Sequence, residues 1–196
     1  MMDMSVGDNS KLATGEQCNS SSLFPEDRLS KLSAWTEISG QLLAKNLTAR
    51  PLRLDDYHAG YLQLLSQLTR VGQVNFDEFK SRFEQMKRIN MVDVHYLIVV
   101  IEDKQTNKTV ATSTLFLEYK FIHQCAVRGR LEDVAVLDLY RGKQVGELLV
   151  KIIVELARET YDCYKLTLDC HDELTKFYSK NKFVRGANML QIRFKD

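Results

Sequence analysis

Two kinds of hydrophobic pattern run through the chain from Asn46 onward. Strand-type runs rich in β-branched and aromatic residues occur in VHYLIVVIED (Val94 to Asp103) and in TVATSTLFLEY (Thr109 to Tyr119). The KQTNK between them predicts an antiparallel hairpin or meander. LTARPLRL (Leu47 to Leu54) reads as a strand weakened by Pro51, and RGRLEDVAVLD (Arg128 to Asp138), KLTLDC (Lys165 to Cys170) and NMLQIRF (Asn188 to Phe194) read as further strands. Apolar residues at helical spacing predict helices over Asp55 to Leu68 and over Phe76 to Ile89, the latter with Phe76, Phe79, Phe83 and Met86 on one face. A strongly apolar helix follows over Glu147 to Glu159, and ELTKFYSKN gives a short one. The order βααβββαβαβ predicts an α/β fold: a mixed, mostly antiparallel sheet flanked by helices, with one strand–helix–strand crossover in its second half.

Residues 1–45 stand apart from this pattern. Through Ser22 the chain is rich in Ser, Asn, Asp and Gly, which predicts a disordered tail. LSKLSAW (Leu29 to Trp35) carries enough helical spacing to dock. The expected organisation is a disordered or loosely docked extension over 1–45 and one domain over 46–196. A hydrophobic content of 44% in 196 residues is enough for one core. A net charge of +1 argues against a nucleic-acid partner, which needs a basic stripe. The longest apolar runs, such as LIVVI (Leu97 to Ile101), are strand-sized, so no transmembrane segment is expected, and no signal-peptide stretch opens the chain. Cys18, Cys125, Cys163 and Cys170 show no CxxC spacing, which argues against a zinc site or a disulfide framework and for a reducing, cytoplasmic location.

Candidate chemistry concentrates where RGRLEDVAVLD runs into the apolar helix through RGKQVG (Arg141 to Gly146). The first free N–H groups of a helix converge on such a turn, and with the helix dipole they favour a phosphate or pyrophosphate. Gly142 and Gly146 permit close approach, and Arg141 and Lys143 add positive charge. Neither GxxxxGK[ST] nor GxGxxG is present, so this is no Walker loop or dinucleotide fingerprint. Basic strand-to-helix turns also occur without a ligand, and the turn alone leaves both readings open.

The blocks around it add more. LEDVAV, RGKQVG, YKLTLDC and KFY, in this order, resemble the GNAT superfamily of acetyl-CoA-dependent N-acetyltransferases, with Gln144 standing where the phosphate turn commonly has glycine. With KFIH (Lys120 to His123) and the terminal QIR, the stretch from Leu47 to Phe194 is similar to the branch that acetylates glucosamine 6-phosphate. This resemblance implies a GNAT fold, acetyl-CoA as cosubstrate without metal, and D-glucosamine 6-phosphate as acceptor, on the way to UDP-N-acetylglucosamine. It implies that Val134, Ala135 and Val136 offer backbone groups to the pantetheine, with Val134 bordering the acceptor as well. Gly142, Lys143, Gln144, Val145, Gly146 and Glu147 would cradle the pyrophosphate, and Asp169, Cys170 and His171 would end a strand beside the thioester. Tyr178 is then the general acid, Glu132 the leading base, directly or through water, and Asp169 the alternative. Transfer is direct, without a covalent enzyme intermediate. Lys120, His123, Lys165 and Arg193 match the cations of the sugar-phosphate site, with Phe121, Ile122 and Tyr164 in the same blocks. Thr69, Glu132 and Asp133 match the groups that meet sugar hydroxyls. The family's terminal strand crosses to a partner subunit, so a homodimer with Arg193 completing the neighbour's pocket is implied.

Each assignment has an ordinary counterpart. Val134 to Val136 suit plain sheet core, Tyr178 a core aromatic, His123 a partly buried histidine, Lys165 a solvated strand end and Arg193 a surface arginine. Two positions depart from the family: Leu174 stands where an asparagine near the cofactor is frequent, and Lys182 where a glycine is usual. A GNAT enzyme for a polyamine or a protein N-terminus, and a non-catalytic acyl-CoA-binding module, are the alternatives. The cationic cluster disfavours a polycationic acceptor, and the presence of both Tyr178 and Glu132 favours an enzyme.

Overall fold

The computed structural model describes residues 22–194, and the tail through residue 21 lies outside them. One 5-stranded sheet runs in chain order: β1 Leu47–Pro51, β2 Tyr96–Asp103, β3 Lys108–Tyr119, β4 Val127–Val136 and β5 Lys165–Thr167. Pairing is antiparallel from β1 to β4, and β5 joins β4 in parallel. The helical segments are α1 Asp27–Ser30, α2 Trp35–Leu43, α3 Tyr61–Leu65, α4 Phe76–Val92, a single turn α5 Ile122–Cys125, α6 Val145–Glu155 and α7 Thr175–Ser179.

The sheet is covered on both sides. Tyr61 of α3 meets Thr112, whose register partner is Ala135, while Gly146 of α6 packs on Val136, the next residue of β4. Neighbouring strand residues point to opposite faces, so α3 and α6 lie on opposite sides. This explains the unbroken apolar run of β2, buried from Leu97 to Ile101. The phenylalanine stripe of α4 turns Phe79 and Phe83 into the core, and a capping box starts the helix: Glu78 N–H donates to Asn75 at 3.0 Å, and Asn75 N–H to Glu78 at 2.8 Å.

Three sequence expectations change. The helix expected over Asp55 to Leu68 is split into a 3-10 turn, Leu54–Tyr57, and α3, with Gly60 left-handed at φ 91° between them. Asp56 is fully buried and accepts both Arg50 guanidinium nitrogens at 2.8 Å, the Arg53 N–H at 2.7 Å and the Thr109 hydroxyl at 2.8 Å. The Ala59 carbonyl accepts the Thr109 N–H at 3.0 Å, so β3 takes an acceptor that a continuous helix would use. Asn188–Phe194 forms no strand: its chain finds no neighbour to pair with among the described residues, and a strand needs one to satisfy its backbone. Residues 22–45 do more than touch the surface. Leu29, Ile38 and Leu42 are fully buried in the cluster that holds Leu97 and Leu149, Leu23 N–H donates to the Leu52 carbonyl, and Lys151 of α6 pairs with Glu37 at 3.0 Å.

The Arg50–Asp56 pair, with Glu102 at 2.5 Å from Arg50, ties β1, β2 and the Leu54–Tyr57 turn together. Burial opposes the Arg50 charge, but Asp56 and then Glu102 more than offset it and raise the guanidinium's pKa. Asp56→Ala leaves that charge underpaired, and the chain should lose about 3 kcal/mol of stability. Urea unfolding checks this; a loss below about 1 kcal/mol, typical of exposed pairs, would show that the network adds little.

Candidate active site

The site begins where two strands stop pairing. β5 is in register with β4 from Arg128↔Lys165 to Arg130↔Thr167, and β4 then continues alone on that side to Val136. Its backbone groups along Leu131 to Val136 line an open edge that an extended, amide-bearing ligand can pair with, as an added strand would. Val134, Ala135 and Val136 lie on this stretch. Gly129 fits just below the parting: a Cβ there would stand 2.8 Å from a Leu166 methyl and 3.1 Å from one of Leu115.

A bulge lies at the same place. Thr112 opposes Ala135 and Thr114 opposes Glu132, so Ser113 faces both Asp133 and Val134. Asp133 takes a left-handed φ of 54°, and the buried Ser113 hydroxyl is left without a partner. In a regular strand Glu132 and Asp133 would point apart. Here Glu132 turns to Arg130, and Asp133 feels the charge of Glu132 and lies near Tyr61. The two consecutive carboxylates stand close enough for their charges to interact. Arg130 also reaches across the parting: its Nε donates to Glu132 at 2.7 Å and its second guanidinium nitrogen to Asp169 at 2.8 Å. The sequence reading passed over Arg130 and Tyr61. Arg130 and Glu132 are two apart in a strand, which is a visible signal for a shared face; the link to Asp169 is long-range and leaves none.

The anion turn follows β4. Gly142 and Gln144 are left-handed at φ 72° and 65°, and Gln144 caps α6. Gln144 thus adopts a glycine-like conformation despite its Cβ. The first intrahelical bond is Leu148 N–H to the Gln144 carbonyl at 3.0 Å, which leaves the N–H groups of Val145, Gly146 and Glu147 facing outward. Gly146 is pressed between β4 and α7, its Cβ position 3.3 Å from Val136 and Phe177. Lys143 lies over the Tyr140 ring at 5.3 Å. Arg141 is held by Asp138 at 2.8 Å and by the Val136 carbonyl at 3.2 Å, so the turn's anion-binding capacity rests on its N–H groups and Lys143. Lys180 neutralises Glu147 at 3.0 Å. A hollow of about 490 Å³ runs along α6 from Gln144 to Arg158, with Glu37 and Gln41 of α2 and Lys180 to Lys182 on its flanks, and it reaches the turn only at its Gln144 end. Lys182 is left-handed at φ 65°, which accounts for the family's glycine there, and Leu174 immediately precedes α7.

Tyr178 of α7 is buried, edge-on to Phe177 and Phe183. Burial first, and the neighbouring Cys170 second, push its hydroxyl up to about 12, so it carries its proton at neutral pH. Asp169, Cys170 and His171 follow β5, and the Cys170 thiol is free and exposed. The acceptor-side candidates come together in part. His123 packs on Tyr164 at 4.4 Å between ring centroids, and Lys165 lies over the same ring at 5.4 Å. His123, Gln124 and Cys125 are all left-handed, a strained turn that leaves Phe121 and Ile122 outermost. Lys120 pairs with Glu118 at 2.5 Å, and Glu118 with Arg128 at 3.6 Å. Thr69 and Arg193 are exposed, Thr69 in the loop after α3 and Arg193 on the terminal segment.

Asp133 is exposed as a residue, but the protein atoms around its carboxyl partly desolvate it, and this first, with the Glu132 charge second, raises the carboxyl above its ordinary value. The folded state then disfavours the ionised form, and stability falls as pH rises through the raised value. Asp133→Asn should melt at a higher temperature than the parent chain at neutral pH, and the gap should close below the ordinary value of 3.8. Equal melting temperatures across that range would remove the electrostatic account of this residue.

Residues 60–183 match the Acetyltransferase (GNAT) family. Over 151 residues the chain is 49% identical to a probable glucosamine 6-phosphate N-acetyltransferase of Drosophila melanogaster, spanning 76% of this chain and 67% of that one. A glucosamine 6-phosphate N-acetyltransferase of Arabidopsis thaliana is 37% identical over 138 residues, 70% of this chain and 90% of the relative. The crystal structure of glucosamine-6-phosphate N-acetyltransferase from A. thaliana matches with a TM-score of 0.71 at 34% identity, covering 76% of this chain and 99% of that one. The matched span holds β2 to β5 and both helices that border the cleft, and the chain belongs to the acetyltransferase (GNAT) family.

Proposed function

We infer that this chain transfers the acetyl group of acetyl-CoA to the amine of D-glucosamine 6-phosphate, giving N-acetyl-D-glucosamine 6-phosphate, a step toward UDP-N-acetylglucosamine. The reading is supported by the open β4 edge, the free first turn of α6, a Tyr178 that keeps its proton beside Cys170, and the Glu132 and Asp169 carboxylates that Arg130 bridges across the parting. These features fit acetyl-CoA. The β4 edge suits the amides of a pantetheine arm, and the α6 turn, with its free N–H groups and open space around Gly142, suits a pyrophosphate, while Gly146 serves the packing of α6 between β4 and α7.

Bound acetyl-CoA supplies an acetyl group activated as a thioester. Glu132 receives the proton that the sugar ammonium must lose, directly or through water, with Asp169 as its alternative. The freed amine attacks the carbonyl carbon, and a carbon–nitrogen bond forms as the carbon–sulfur bond breaks. A backbone N–H on the β4 edge steadies the charge on the carbonyl oxygen. Tyr178 delivers its proton to the departing sulfur, and the second proton, which the nitrogen sheds once bonded to the acetyl carbon, passes through solvent to restore Tyr178. His123, Lys165 and Lys120 hold the sugar phosphate, and Thr69 and Asp133 meet its hydroxyls.

A homodimer completes the site. The segment carrying Arg193 exposes Leu190, Ile192 and Phe194 and lacks a neighbouring strand among the described residues, which suits a place in a second copy's sheet beside β5. No helix among the described residues is long and apolar enough to cross a membrane, and the cytoplasm is the proposed location.

CoA release should be strong with glucosamine 6-phosphate and negligible with glucosamine, spermidine or a peptide amine. Turnover on another amine instead would keep the GNAT reaction and discard the sugar-phosphate acceptor. In the same assay Tyr178→Phe should lower kcat by about 10²-fold or more, the usual share of a general acid.

A further inference from the structure

Arg130 stands at the last paired position of β4, opposite Thr167, and one residue later the strands separate. Its guanidinium joins the two walls of the cleft: Glu132 lies two residues on along β4, and Asp169 two residues past the end of β5. A planar fork with several donors suits this geometry, since each carboxylate engages a different nitrogen. Without it, Glu132, Asp133 and Asp169 would gather at one end of the cleft with no cation between them. Asp133 already senses the Glu132 charge. Arg128, the next cation along the strand, is engaged elsewhere, donating to the Thr167 hydroxyl at 2.8 Å and pairing with Glu118.

We propose that Arg130 is a positioning residue for acetyl transfer: anchored on Asp169 across the parting, it fixes Glu132 in its proton-accepting orientation. It acts through the carboxylates and contacts neither substrate. Two rival roles for an arginine at this place are separable from this one. A direct ligand of the sugar phosphate would act on KM, and a purely architectural tie would act on folding and on acetyl-CoA binding.

The inference rests on the acetyl-transfer reading, and the experiment separates the two. Arg130→Met, Arg130→Lys, Glu132→Gln and the double variant Arg130→Met/Glu132→Gln are compared with the parent chain in steady-state CoA release, beside acetyl-CoA titration and thermal melting. Arg130→Met should lower kcat by about 10²-fold, the effect of a misplacement near 1 Å. The KM for glucosamine 6-phosphate and the affinity for acetyl-CoA should stay close to those of the parent. Arg130→Lys should recover part of kcat, because a single ammonium can serve one carboxylate at a time. The double variant should be no slower than Glu132→Gln, since a residue acting through another adds nothing once that other is gone. Additive losses in the double variant overturn the proposal. So does a loss confined to KM, or one matched by weakened acetyl-CoA binding or a lowered melting temperature. A parent chain that releases no CoA with glucosamine 6-phosphate overturns the functional reading itself, and the proposal with it.

Discussion

The cleft depends on one interruption in backbone hydrogen bonding, the parting of β4 and β5 after Arg130↔Thr167. Unpaired backbone groups are normally avoided inside a sheet because each is a strong donor or acceptor. They are tolerated here because they face an open cleft, where solvent or a ligand with its own amides can meet them. The parting is also sharp. Close packing of Leu115, Leu166 and Cys163 around Gly129 keeps the strands joined up to Arg130. The crossover through α6 then places the free N–H groups of a helix at the far mouth of the same cleft.

The bulge at Asp133 works with the parting. One extra residue in β4 interrupts the usual alternation, and a left-handed aspartate carries the bend. This leaves a buried hydroxyl on Ser113 unpartnered. Strain and unmet polar groups collect at the cleft, while the far side of the sheet is built for rigidity. There Asp56 satisfies Arg50, Arg53 and Thr109 at once. A sheet anchored in this way at β1 and β2 gives β4 a fixed platform on which to bend.

Local periodicity made much of this legible. The apolar run from Leu97 to Ile101 and the phenylalanine spacing of α4 report burial directly, and the RGKQVG turn shows its position before a helix by its glycines and basic residues. What local pattern misses is whatever a distant partner decides. The break at Gly60 follows from Arg50 and Thr109, residues outside that segment, so a continuous helix over Asp55 to Leu68 was the reasonable expectation. Asn188 to Phe194 alternates like a strand, but alternation states only that a segment suits a sheet, not that one chain supplies the neighbour. Arg130 and Asp169 are 39 residues apart, beyond any local signal. The charge of a surface lysine is equally silent about its partner within the chain: Lys120 meets Glu118.

The brevity of β5 has a consequence for how the cleft is held. The strand is held to the sheet by register pairs at Lys165, Leu166 and Thr167, whereas β3 and β4 are paired along nearly their whole length. Cooperative opening follows the density of such contacts. β5 is therefore the strand with the fewest pairs to break. What keeps the stretch after it in place is side-chain packing, Phe177 against Gly146 of α6 and Tyr178 in the core. One wall of the cleft is thus held by backbone pairing and the other by side chains, so a truncation at Phe177 or Tyr178 acts on the second wall alone.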